Sequence, residues 1–132
     1  MEKTRIMPSG HWDWSMPVPF SQAWRVGNFV FTGGQVAYPF GEGDIEIQTR
    51  RTFENLGRVL QAAGADWKDV IKLNTYYVYD GPEETMVEYW EKLTKIRMEF
   101  LADPGPAGTA VRVVGLAYPN QLIEAEAIAI VD

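Results

Sequence analysis

Cysteine is missing from this chain altogether, and histidine occurs once, at His11. The first absence excludes a disulfide framework and thiolate chemistry. The two together leave few ligands for zinc or iron, so no metal site is expected. Long apolar runs are missing too: nothing approaches the roughly 20 residues of a membrane helix. The opening Met1-Glu2-Lys3-Thr4-Arg5 lacks the apolar core of a signal peptide, so the expectation is a cytoplasmic protein with no membrane partner. Positive charge is in deficit, with 12 Lys and Arg against 18 Asp and Glu. The resulting net charge of -6 argues against a nucleic-acid backbone or an anionic membrane surface as partner.

Apolar residues are plentiful. At 132 residues and 46% hydrophobic content, the chain is read as one domain, 1–132, with enough material for an ordinary core. The most informative stretch runs from Gly108 to Val131. Thr109–Val114 and Leu122–Val131 read as two strands, with Tyr118-Pro119-Asn120-Gln121 breaking the pattern between them. In the second strand Ile123, Ala125, Ala127, Ala129 and Val131 share one face, while Glu124, Glu126, Ile128 and Ile130 share the other. So apolar a strand is central to its sheet. Its two carboxylates are therefore costly unless paired, hydrogen-bonded or put to use.

Residues 1–19, with Pro8, Gly10, Pro17 and Pro19, read as irregular chain. Trp12 and Trp14 within it are expected to pack over the domain edge, the alternative being that they line a pocket or a subunit contact. Gln22–Val26 and Phe29–Gly33 follow as strands around a two-residue Gly27-Asn28 turn. Gly33-Gly34 ends the second strand almost without side chains, so a backbone or ligand can approach closely. It is not a phosphate loop, because no lysine follows at the required spacing.

A helix over Ile45–Ala63 carries the stripe Phe53, Leu56, Leu60 and Ala63, and Gly64 stops it. Val70–Tyr79 is a third long strand, with Ile71, Leu73, Thr75, Tyr77 and Tyr79 on one face and Lys72, Asn74 and Tyr76 on the other. Asp80 is expected to cap a second helix whose inner stripe is Met86, Trp90, Leu93, Arg97 and Phe100. The order is β-β-α-β-α-β-β, an α+β fold with one mixed sheet and two helices on one face. The uncovered face, expected to hold Lys72, Asn74, Arg112, Glu124 and Glu126 among aliphatics, suggests burial against further copies of the chain, with a pocket between subunits.

Read together, these segments resemble the Rid family (reactive-intermediate deaminases, also called YjgF). The similarity runs through Phe20-Ser21-Gln22-Ala23-Trp24-Arg25-Val26-Gly27-Asn28-Phe29-Val30-Phe31, Gly33-Gly34-Gln35, Gln48-Thr49-Arg50, Ala62-Ala63-Gly64-Ala65, Asp69-Val70-Ile71-Lys72 and Ile123-Glu124-Ala125-Glu126-Ala127-Ile128-Ala129. It implies a chorismate-mutase-like fold, a homotrimer and clefts between subunits. Deaminase-type members hydrolyse enamines and imines without a metal or cofactor. In them an arginine in a Pro-Ala-Arg-Ser/Thr motif grips the substrate carboxylate, a glutamate on the last strand positions water, and an N-terminal aromatic lines the cleft.

Carried across by the resemblance, the glutamate is Glu124, the aromatic is Phe20 where the family usually has tyrosine, and the small residue of the second strand is Gly33. The arginine has no counterpart: Pro106-Ala107-Gly108-Thr109 puts Gly108 in its place, which places the chain in an arginine-lacking subgroup. The family's helix-two asparagine motif is not recognisable either, and Leu93–Phe100 offers Thr94 and Arg97 instead. Gly108, Thr109 and Ala110 remain the expected substrate-binding stretch, and without the arginine an aromatic pocket of Phe20, Trp24 and Tyr118 suits a bulkier, less anionic ligand. Arg112 lies about 13 Å along the strand from Gly108; it either meets a longer substrate or, the favoured reading, pairs with Glu124 or Glu126. Lys72 could act as a Schiff-base nucleophile but reads better as a paired lysine. The leading functional expectation is an imine or enamine hydrolase, in which Glu124 deprotonates water unless it is only a paired interface residue. A noncatalytic small-molecule binder is the alternative, and ribonuclease activity is the least favoured on charge.

Overall fold

Eight elements follow one another along the chain, and the computed structural model describes residues Met1–Asp132. They are β1 (Lys3–Ile6), β2 (Ala23–Val26), β3 (Phe29–Thr32), α1 (Ile45–Ala62), β4 (Val70–Val78), α2 (Met86–Arg97), β5 (Ala107–Val113) and β6 (Ile123–Ile130). The strands form one mixed six-stranded sheet in the order β1-β2-β3-β6-β4-β5. All pairings are antiparallel except β4 with β5. Both helices lie on one face, as expected.

β1 is the strand that the sequence does not announce: its four residues, Lys-Thr-Arg-Ile, are mostly polar and exposed, and pairing with β2 is what orders them. β5 and β6 follow each other in the chain but do not pair, because β4 lies between them. At the β2–β3 hairpin Val26 pairs directly with Phe29, so the turn is the two residues Gly27-Asn28, with Gly27 at φ +58°.

The alternation of β6 decides the core. Ile123, Ala125, Ala127 and Ala129 are buried, and α1 lays Phe53, Leu56, Val59 and Leu60 over this stripe. Alanines keep the sheet surface low, so the larger helix side chains fill the gap between the layers. α1 starts at Asp44, whose carboxylate accepts from Ile47 N at 2.9 Å. It stops at Gly64, in the left-handed region at φ +85°, with Ala65 N donating back to Leu60 O at 2.8 Å. α2 is held less firmly, with only Leu93 and Ile96 fully buried.

Three expectations need correction. Asp80 does not cap α2: a single 3-10 turn, Glu83–Thr85, precedes the helix, and Thr85 occupies the cap position without a side-chain capping bond, its hydroxyl donating to Pro82 O instead. Ile71 does not share the face of Leu73, because a bulge between Val70 and Lys72 leaves it unpaired and exposed. Arg112 is not on the uncovered face: β5 pairs Tyr77 with Arg112 and Leu73 with Gly108, which puts Gly108, Ala110 and Arg112 on the helix side. Thr109 and Val111 face the other way, beside Asn74 and Tyr76. The uncovered face is rich in aromatics, with Trp24, Phe29 and Phe31 each more than 40% exposed.

Candidate active site

Where β3 ends, the chain passes through Gly33-Gly34 and rejoins the sheet at Gln35. Gly33 N donates to Gln22 O at 2.8 Å, and Gln35 exchanges backbone bonds of 2.8 and 3.0 Å with Ala125. This path draws the two glycines across the end of β6. A Cβ at Gly33 would lie 2.9 Å from Ser21 O and 3.1 Å from Cζ of Phe20, so the ring and the glycine touch. A Cβ at Gly34 would overlap Oε2 of Glu124 and lie 2.8 Å from its carboxyl carbon. Phe20, Gly33, Gly34 and Glu124, drawn from three separate stretches, thus come together.

The Glu124 carboxyl is partly buried, and its pKa is pushed up, first by loss of hydration and then by the charge of Glu126 on the same face. Across the sheet it faces Tyr76. The Tyr76 hydroxyl pKa is in turn raised, chiefly by Glu126 and less by burial and Glu124. A carboxylate so placed is a stronger base than an exposed one and can accept a proton from water.

Beside this group opens a recess of about 650 Å³ lined by Arg5, Phe20, Trp24, Phe31 and Gly33. Arg5 is a residue that sequence reasoning missed, since its strand was read as irregular chain. It stands opposite Trp24 in the β1–β2 pairing, and its guanidinium bonds to Ser21 Oγ at 2.9 Å and to Phe20 O. Tyr118 does not line this recess. It stacks on Phe40 with ring centroids 4.2 Å apart and on Trp14 at 5.9 Å, and Trp14 in turn meets Phe20 edge-on at 5.4 Å.

The N-terminal tryptophans pack over the edge of the domain, as expected: Trp14 is held by ring contacts and Trp12 also by polar bonds. Gln35 is fully buried; its Oε1 accepts from Trp12 Nε1 at 3.0 Å and lies 2.7 Å from His11 Nε2. Its Nε2 donates to Gln22 Oε1 at 2.7 Å, and Gln22 Nε2 donates to Trp12 O at 3.0 Å. With Gln35 Oε1 fixed as an acceptor, His11 carries its proton on Nε2. Its Nδ1 is buried without a partner. Burial is the main reason that the His11 pKa is lowered, with Arg58 adding to it and the bond donated to Gln35 opposing it.

The strand residues expected to bind substrate lie apart from this group. Gly108, Ala110 and Arg112 are on the opposite face of the sheet from Glu124, and Thr109 is separated from β6 by β4. Arg112 pairs with neither Glu124 nor Glu126. It reaches Glu83 Oε1 at 2.8 Å and Tyr79 O at 2.8 and 3.0 Å, over the Tyr79 ring. Nothing in the backbone demands glycine at 108, since a Cβ there would meet only Leu73 O at 3.4 Å and Pro106 O at 3.9 Å, both ordinary contacts. No three His, Cys, Asp or Glu side chains converge as a metal site would need, and no helix is long and apolar enough to cross a membrane.

Residues 15–131 match the protein family described as Endoribonuclease L-PSP. A RutC family protein of Pyrococcus abyssi is 40% identical over 116 residues, spanning 84% of this chain and 85% of that one. A 2-iminobutanoate/2-iminopropanoate deaminase of Dermatophagoides farinae is 29% identical over 119 residues, 86% of this chain and 87% of its own. Among solved structures, RidA from an Antarctic Psychrobacter superposes with a TM-score of 0.81 at 27% identity, covering 97% of this chain and 99% of that one.

Proposed function

The chain belongs to the Endoribonuclease L-PSP family, also called YjgF, RutC or Rid, and on that footing we propose that it hydrolyses imines or enamines in a cleft between the copies of a homotrimer. The observation that carries this reading is Glu124, a partly buried carboxyl with a raised pKa held beneath Gly34 beside the Phe20 ring. Glu124 takes a proton from water as the water oxygen bonds to the C=N carbon, and the π electrons move to nitrogen. Glu124 returns that proton to nitrogen, which gives the carbinolamine; the carboxylate then carries the hydroxyl proton to nitrogen as well, so that the C–N bond breaks, ammonia leaves and the C–O bond becomes the carbonyl of a ketone product. Phe20 and Trp24 supply an apolar wall and limit competing water.

The division of the expected site supports the cleft. Glu124 and the Gly108 segment are on opposite faces of one sheet, so one chain cannot present both to one substrate. A neighbouring copy can. Recognition of the substrate is also non-standard for the family, because position 108 carries no guanidinium to fork onto a carboxylate.

Ammonia release from enzymatically generated imines tests the reading, using small imino acids, aromatic imino acids and uncharged imines. Acceleration that vanishes in Glu124→Gln, with the assembly intact, is the expected result. Turnover unchanged in that variant would sink the assignment. The bare Gly108 favours one second reading, a noncatalytic binder, which predicts saturable binding with no product.

A further inference from the structure

A pocket of about 500 Å³ opens where the last turn of α2 meets the 101–106 loop and the start of β5. Thr94, Arg97, Met98, Leu101 and Pro106 line it. Thr94 and Arg97 are three residues apart on α2, so their side chains share a face. Two features there are unsatisfied. Thr94 Oγ1 is buried and has no hydrogen-bond partner, although a helical threonine can return its hydroxyl to the carbonyl four residues back. Arg97, partly buried, takes part in neither of the chain's two ion pairs, which join Arg50 to Glu99 and Arg112 to Glu83. Burial lowers its pKa with no neighbouring carboxylate to offset the effect, and Asp103, also at the pocket, is not paired with it. A partly desolvated guanidinium and an orphan hydroxyl on one pocket wall are costly unless an acceptor enters from outside.

Three other arginines are already committed. Arg112 holds Glu83 and Tyr79 O, Arg5 holds Ser21 Oγ and Phe20 O, and Arg25 holds Gly27 O and Ala63 O. Arg97 alone among them has its donors free, and it stands beside Pro106, two residues before Gly108. We propose that this pocket is an oxyanion site, with Arg97 and Thr94 as its donors, and that it receives the carboxylate of a small aliphatic 2-imino or 2-oxo acid. The inference rests on the hydrolase reading for the identity of the ligand. Met98, Leu101 and Pro106 give the pocket an apolar wall suited to a short aliphatic chain. A guanidinium from α2 thereby takes over the role that β5 gave up at position 108, and the chain keeps anionic substrates despite the glycine.

The test is calorimetric titration with 2-oxobutanoate and with its methyl ester, which has no charge. Wild-type protein binds the acid saturably and the ester at least about 10-fold more weakly. Arg97→Met weakens acid binding by about 10- to 100-fold, the usual loss for a charge-assisted contact. Its thermal midpoint is unchanged or higher, because an unpaired, partly buried charge is gone. Thr94→Val weakens binding by about 2- to 10-fold. In turnover, Arg97→Met raises KM more than it lowers kcat. No acid binding to the wild type, equal binding of acid and ester, or undiminished acid binding in both variants overturns the pocket. Glu124→Gln separates the two readings: it keeps acid binding and loses ammonia release. Acid binding that depends on Arg97, in a protein that releases ammonia from no imine, keeps the pocket and removes the hydrolase.

Discussion

Gly34 and Glu124 depend on each other. The glycine leaves the only room in which the carboxylate can lie across the end of β3, and any Cβ there meets it first. Gly34→Ala should therefore fold, since a side-chain end can swing aside, yet lose most of its ammonia release while its thermal midpoint moves little. Glu124 also gives stability a pH dependence. Its folded pKa is raised, so it favours the fold while protonated, and that contribution is lost as pH rises from the ordinary glutamate range through the raised value. Glu124→Gln should consequently be more stable than the wild type at neutral pH and equal to it in acid, as denaturant titrations would read. His11 works in the opposite direction. Its pKa is lowered, so stability is full above about 6.5, the ordinary histidine value, and falls as pH drops through the lowered one. As the only histidine, it makes that slope assignable: His11→Gln should flatten it.

At the scale of elements, α1 and α2 differ in how they are held. Phe53, Leu56, Val59 and Leu60 are fully buried on α1, so Phe53→Ala should cost about 3–5 kcal/mol by denaturant unfolding. α2 has two fully buried residues, and its amides should exchange before those of α1 in native-state hydrogen exchange. The periodicities that locate α1, β4 and β6 are plain in the sequence because each has one buried face. That of β6 also places Glu124 correctly, opposite the alanine stripe. β1 was hidden because Lys3–Ile6 has no apolar alternation, and Arg5 was hidden with it. The face of Arg112 was equally hidden, since it follows from the register of β5 against β4, whereas the bulge at Ile71 displaces only the start of β4. The 3-10 turn before α2 similarly displaced the expected cap from Asp80.

For the molecule as a whole, the uncovered face carries Trp24, Phe29 and Phe31 beside Glu124 and Glu126. In the proposed trimer this face is covered by a neighbour. Phe31→Asp should then yield monomers by sedimentation with unchanged helical content, and the loss of assembly should remove activity along with it. The placement of Glu124 and the Gly108 segment on opposite faces of the sheet also bears on mixtures of defective chains. A Glu124→Gln chain still offers the Arg97 side of a cleft, and an Arg97→Met chain still offers the Glu124 side. Randomly mixed in equal amounts, the inactive chain and the weakly binding chain would assemble about one complete cleft in four. Activity at low substrate would rise above that of either protein alone through complementation between subunits.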